Sequence, residues 1–378
     1  MTRIRSIEVV AVEAPVAVPY GSSRGLVPKR QAGIIRLRTE DGIEGIGEAW
    51  GPPAVTAAYL ETVKARFLGA ELSAHRGVAQ QVLASHYHFG TANGLIALLG
   101  GIDIAAHDAL GKRYGVSVAE LIGGRLREQI PVYASGGYFT AEDDQDAALA
   151  RQVERAAAQG HTAHKIKIGR NTRQDAARCA LARRIIGPDA LLTVDGNGNM
   201  TAEGALASMR AIADSDIHWY EEPVAPQDWA GYAQLRDRAP IPVAAGEAHY
   251  ALFEHRRLID GRLAAVLQPD LTLCGGFAVA QVIGALVNAE HLRLSPHCWG
   301  SGVGLAAALQ LMAAQPAYPA GDHVPLPALL EYDQGDNALR DGVLAEPLRY
   351  AAGMLAVPRG PGLGITLDEA ALRRFAPA

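Results

Sequence analysis

The chain has 378 residues, enough for a large core, with 35 Lys+Arg against 40 Asp+Glu. The resulting net charge of -5 offers no positive excess for nucleic acid or an anionic membrane, which leaves a small molecule as the default partner. Cys179, Cys274 and Cys298 are odd in number and scattered, against a disulfide framework or a thiolate metal site and in keeping with a reducing, cytoplasmic setting.

The first segment, "MTRIRSIEVVAVEAP", has Glu8 and Glu13 among its apolar residues, so it reads as a strand and not as a signal-peptide core. "AGIIRLRTEDGIEGIGEAWG" reads as a hairpin with Asp41-Gly42 at its turn. Helical patterns follow at about 54–68, 76–88 and 100–113. Strands followed by helices predict an α+β module over residues 1–125. From residue 126 to 335 short apolar strands alternate with helices. The strands are "PVYASGGY", "HKIKIG", "LLTVDGN", "HWYEEPV", "IPVAAGE", "AAVLQPD", "LRLSPHCWG" and an eighth in "ALLEYD". The first intervening helix is expected to be capped by Thr140 and ended by Gly160. The uncharged run 298–320 approaches membrane-spanning length, but Gln310, Gln315, Pro316 and its glycines favour a buried helix.

Nearly every strand of this second region ends in a polar or ionisable group: Lys165 and Lys167, Asp195, Glu221, Glu247, Asp270, His297 and Glu331. A (β/α) barrel brings all such ends to one mouth, whereas an open sheet spreads them along an edge, so a barrel is expected. The intervals from 195 to 221 and from 221 to 247 are 26 residues each, one βα unit. Three adjacent strands then present one carboxylate apiece. A lone acid at a strand end is as often a helix cap as a ligand. Three in unit spacing point to a hard divalent cation, Mg²⁺, with Mn²⁺ sharing its ligand preference.

In "HKIKIG" the period-2 alternation puts Lys165 and Lys167 on one face and Ile166 and Ile168 on the other. The lysines could serve as ion-pair partners of the acids. A lysine beside a second cation and a metal has its pKa pushed down, which suits a general base. Asp270 and His297 end successive strands, and an Asp beside an imidazole fixes its tautomer and raises its basicity. The combination suits α-proton abstraction from a carboxylate, with His297 reprotonating the opposite face or protonating a β-leaving group.

"KIK", "DGN", "EEP", "GE", "QPD" and "PHCWG", in this order, resemble the mandelate racemase subgroup of the enolase superfamily. "GGIDIAAHDALGKRYG", "LIGG" and "VPRGPGLGI" extend the resemblance to nearly the whole chain. It implies an α/β fold, a modified TIM barrel (β/α)7β with an α+β capping domain to which residues 336–378 return. It also implies Mg²⁺ on Asp195, Glu221 and Glu247, Lys167 as base, Lys165 at the substrate carboxylate, the Asp270/His297 dyad, and Asn197 and Glu331 as substrate contacts. Symmetric homo-oligomers are common in the family. Within the subgroup, "DIHWYEEPV", "LQPDLTLCGGF" and "LLEYDQGDNALRDGVL" look most like galactarolactone cycloisomerases and acid-sugar dehydratases. Lactone ring opening is therefore the expected reaction, ahead of open-chain dehydration or two-base epimerisation. A metal-retaining binding barrel is the non-enzymatic alternative, and it would have no use for two opposed bases. Tyr20, Arg24 and His249 are further candidates for substrate contact, or else solvated loop residues.

Overall fold

The computed structural model describes residues 2–316 and 328–377. Its N-terminal part is an antiparallel sheet in the order Glu44–Ala49, Gly25–Thr39, Ile4–Ser22 and Phe139–Thr140, the last strand coming from the barrel segment. The helices Pro53–Phe67, His75–Ser85 and Gly94–Tyr114 follow, and Ile4, Ile35, Phe67 and Leu98 share an apolar cluster between sheet and helices. The last helix starts six residues earlier than the periodicity predicts because Asn93 caps it, its side chain accepting from Leu95 N at 2.9 Å. The alternating glycines of "EGIGEA" have a packing cause. A Cβ at Gly45 or Gly47 would stand 2.0 or 2.1 Å from the carbonyl oxygens of Ala105 and Gly101 on that helix.

The second part runs strand, helix, strand from Gln129 to Asp333. Its strands are Gln129–Ser135, Ala163–Lys167, Leu191–Asp195, Ile217–Glu221, Val243–Ala245, Val266–Leu267, Arg293–Leu294 and Leu330–Asp333, each pairing in parallel with its neighbour up to Arg293–Leu294. Leu330–Asp333 pairs in parallel with Gln129–Ser135. The remaining seam is bridged by Ser295 Oγ donating to Leu329 O at 2.7 Å and Glu331 N donating to Pro296 O at 3.4 Å. The architecture is thus a (β/α)7β barrel with an α+β capping domain. Inward-facing Tyr133, Ala163, Trp219, Ala244, Val266 and Leu329 plug the lumen, while Ile166 and Ile168 pack with Cys179 and Ala182 in the layer between barrel and helices.

One expectation is corrected. The first barrel helix is Gln145–Ala158, capped by Asp144 and not by Thr140, because Thr140 is drawn into strand pairing with Tyr20. Within the run 298–320, residues Gly302–Ala314 form a buried helix of 13 residues, and positions 317–320 lie outside the described residues. Among the described residues, only Gly94–Tyr114 is long and apolar enough to cross a membrane, and 89% of its apolar window is buried inside the fold.

The C-terminal segment first adds Met354–Ala356 antiparallel to Gln129–Ser135, then runs to the capping domain, where Glu13 N donates to Phe375 O at 2.7 Å. Asp108 ties three parts together. It is fully buried and accepts from Ile46 N (2.8 Å), Leu363 N (2.7 Å) and Lys112 Nζ (2.7 Å). Asp108→Ala strands two backbone donors and is expected to cost about 2–4 kcal/mol, read as a lowered denaturation midpoint in urea.

Candidate active site

The parallel pairing sets the site. Lys167 is in register with Asp195, and Asp195 with Glu221, so three successive strand ends bring their charged side chains side by side. Arg178, a fully buried side chain on the helix Thr172–Ile186, holds the end of the lysine strand by donating to Lys167 O (2.9 Å) and Gly137 O (2.5 Å). Asp195, Glu221 and Glu247 offer oxygens that all lie within 4.8 Å of one another.

Lys165 Nζ stands 2.5 Å from Glu221 Oε1, 2.8 Å from Glu331 Oε1 and 3.9 Å from Asp195 Oδ2. Lys167 Nζ is ion-paired with Asp195 Oδ2. Burial disfavours the charge on both lysines, but Glu221 and Glu331 outweigh it for Lys165 and Asp195 for Lys167, so both are held above the ordinary lysine value. Among the protein's own groups the facing carboxylates act on Lys167 more strongly than Lys165 does; the expected depression counts a cation on those carboxylates as well. Burial raises the Glu221 carboxyl to about 8; Lys165 opposes the rise, and the neighbouring acids add to it.

His297 approaches from the Glu247 side. Its Nδ1 lies 2.7 Å from Asp270 Oδ2, and its Nε2 lies 3.5 Å from Glu247 Oε2 and 3.7 Å from Glu331 Oε2. Burial would lower its pKa, but Glu247, Glu331 and Asp270 push it up to about 10, so the imidazole carries its proton at neutral pH. Asp270 is itself fixed by Thr272, whose N and Oγ1 donate to Oδ1 at 2.8 and 2.6 Å. Glu331 accepts Cys298 N at 3.0 Å and sits between Lys165 and His297. Burial favours its neutral form, but those cations hold it ionised, so here it aligns two cations as an acceptor.

Asn197 donates its backbone N–H to Asp195 Oδ1 at 2.7 Å, and its φ of 48° is the left-handed turn that lets it do so. Its Oδ1 and Glu247 Oε2 are buried without a hydrogen-bond partner. The other three candidates are engaged elsewhere. The Tyr20 hydroxyl donates to Asp336 O at 3.2 Å. Arg24 donates to Asn197 O and Gly198 O at 2.5 and 2.6 Å, docking the capping hairpin on the loop after Asp195. His249 is not solvated: it is 1% exposed, packed on Trp229, Tyr232 and His255, with Nε2 3.1 Å from Pro226 O and Nδ1 buried without a hydrogen-bond partner. Sequence reasoning missed Gln268, which donates to Glu221 Oε2 at 2.6 Å. It stands two residues before Asp270 in "QPD", and its amide was legible as a polar group on a buried strand end.

The chain matches the Mandelate racemase / muconate lactonizing enzyme, N-terminal domain family over residues 4–123 and the Enolase C-terminal domain-like family over residues 148–371. It is 34% identical to the D-galactarolactone cycloisomerase of Agrobacterium fabrum, covering 99% of this chain and 98% of that one. Among solved structures it is similar to the 3,6-anhydro-D-galactonate cycloisomerase from Zobellia galactanivorans, with TM-score 0.89, 30% identity and 100% of both chains covered. It is also similar to a racemase from Streptomyces coelicolor A3(2) with bound magnesium, with TM-score 0.88, 25% identity, and 99% of this chain and 100% of that one covered. A barrel mouth of this build, joined to two family matches that together span most of the sequence, places the chain in the mandelate racemase/muconate lactonizing enzyme family of the enolase superfamily.

Proposed function

We propose that this enzyme removes the proton α to a sugar-acid carboxylate and expels a β-oxygen, the favoured reaction being ring opening of an aldarate lactone. The observation that carries the reading is Lys167 on Asp195 and His297 on Asp270, meeting one carboxylate cluster from two sides. The full-length similarity to a galactarolactone cycloisomerase supports the lactone.

The donor set fits a divalent cation: three carboxylates in reach of one point, and two buried oxygens, Glu247 Oε2 and Asn197 Oδ1, that accept no hydrogen bond. Asp195, Glu221 and Glu247 would hold it, Mg²⁺ before Mn²⁺. When bound, the cation supplies Lewis-acid stabilisation of negative charge on the substrate carboxylate. Lys165 adds a second positive charge at the same carboxylate. Lys167 accepts the α-proton in its neutral form, which burial and Lys165 favour; Asp195, Glu247 and Glu221, which oppose it, are the three carboxylates that would hold the cation. The ring oxygen leaves with its electron pair as a carboxylate, and His297, which holds a proton at neutral pH with Asp270 fixing its tautomer, protonates the β-carbon of the enol while the enol hydroxyl gives its proton to water, which yields the deoxy-keto acid. Glu331 keeps Lys165 and His297 aligned, and Asn197 lies beside the cluster to meet a substrate hydroxyl.

Removal of divalent ions by a chelator is expected to abolish turnover and Mg²⁺ to restore it; full activity in excess chelator sinks the triad assignment. Lys167→Ala and His297→Asn are each expected to leave a folded protein that still binds Mn²⁺, with kcat down by on the order of 10²-fold or more; normal turnover in both would refute the two-sided proton transfer. A screen of sugar acids and lactones in D₂O, followed by product NMR, should give a deoxy-keto acid from an aldarate lactone. Exchange of the α-hydrogen without elimination would instead assign racemisation.

A further inference from the structure

The capping strand Glu44–Ala49 ends against the two loops that carry Asp270 and His297, and the proton transfers above make no use of it. Glu48 is 2% exposed, yet its carboxylate reaches the start of the barrel helix Gly302–Ala314. It accepts from Ser301 N (2.9 Å) and Gly304 N (2.8 Å), two of the backbone donors that a helix leaves open at its N-terminus, and from the Ser301 hydroxyl (2.6 Å). The fit is tight: a Cβ at Gly300 would stand 2.2 Å from Glu48 Oε1. Glu48 thereby anchors the chain four residues after His297.

Trp50 anchors the other loop. Its N–H donates to Thr272 O at 2.9 Å, and Thr272 is the residue whose N and Oγ1 hold Asp270. The Trp50 ring then meets the His297 imidazole edge to face, with centroids 5.6 Å apart and planes at 73°. One strand end of the capping domain thus grips the backbone on both sides of the dyad and touches its imidazole.

We propose that Glu48 and Trp50 are positioning residues that set the His297 imidazole, so that the proton donor is aligned only when the capping domain is docked on the barrel. The inference rests on the reading that His297 transfers a proton. The test uses the Mg²⁺-loaded full chain with Glu48→Gln, Trp50→Leu and Trp50→Phe. Two readouts are taken: kcat and KM on the substrate found in the screen, and the downfield imidazole N–H resonance of the His297–Asp270 bond, identified by its loss in His297→Asn. Glu48→Gln and Trp50→Leu are expected to lower kcat on the order of 10²-fold with KM little changed, and to shift or abolish the resonance, since a small misplacement of a catalytic group has that effect. Trp50→Phe, which keeps an aromatic face on the imidazole, should recover most of both. Wild-type kcat and resonance in folded Glu48→Gln and Trp50→Leu, or a loss confined to KM, overturns the proposal. If the wild-type chain acts on no sugar acid, the functional reading fails alone, and the resonance still decides whether Glu48 and Trp50 set His297.

Discussion

Like charge gathered in a small volume governs this molecule. Asp195, Glu221, Glu247, Asp270 and Glu331 converge at one barrel mouth, four of them buried. Ionised carboxylates at such distances repel, and burial takes away the water that would screen them. Glu221 shows the result, its carboxyl raised to about 8 by burial with its acidic neighbours adding to the rise. The fold answers with cations: Lys165 between Glu221 and Glu331, Lys167 on Asp195, and a protonated His297 facing Glu247, Glu331 and Asp270. Each of these contacts requires strand ends in register, and parallel pairing supplies it.

The same constraint explains the capping domain. A cluster of buried charges is useful to chemistry only where water is held back and side chains cannot wander, because both loosen the electrostatics. The capping hairpin lays Ser23 and Arg24 on the loop that follows Asp195, through hydrogen bonds to the carbonyls of Gly196, Asn197 and Gly198. On the opposite side the end of the Glu44–Ala49 strand lies on the loops of Asp270 and His297. Asp108 and the C-terminal segment hold sheet, helix and barrel together behind these contacts. Domain docking and site geometry are therefore one structural problem.

Much of the site was legible in the sequence. Period-2 alternation in "HKIKIG" put two lysines on one inward face, and unit spacing put three acids on successive strands; both follow from local backbone geometry. What failed to show were contacts that depend on distant segments. Thr140 had the residue type of a cap, but its pairing with Tyr20, far away in the chain, took it out of the helix. Tyr20, Arg24 and His249 had polar side chains in the right regions. Only the packed structure shows Tyr20 on Asp336, Arg24 on the Asn197 loop and one ring nitrogen of His249 on Pro226.

The sequence by itself determined the order of strands and helices, the polar group that ends each strand and the hard-oxygen character of the donor set, since each depends on residue type and on spacing along the chain. Tertiary structure alone decided the protonation states and the supports. Among the protein's own groups, carboxylates brought in from 28 and 56 residues away raise both lysines against their burial, and Lys167 against the charge of Lys165 as well. Glu48 finds its helix terminus 253 residues away. Charge balance and capping are properties of what meets in space, and no local pattern records which distant group a buried side chain will face.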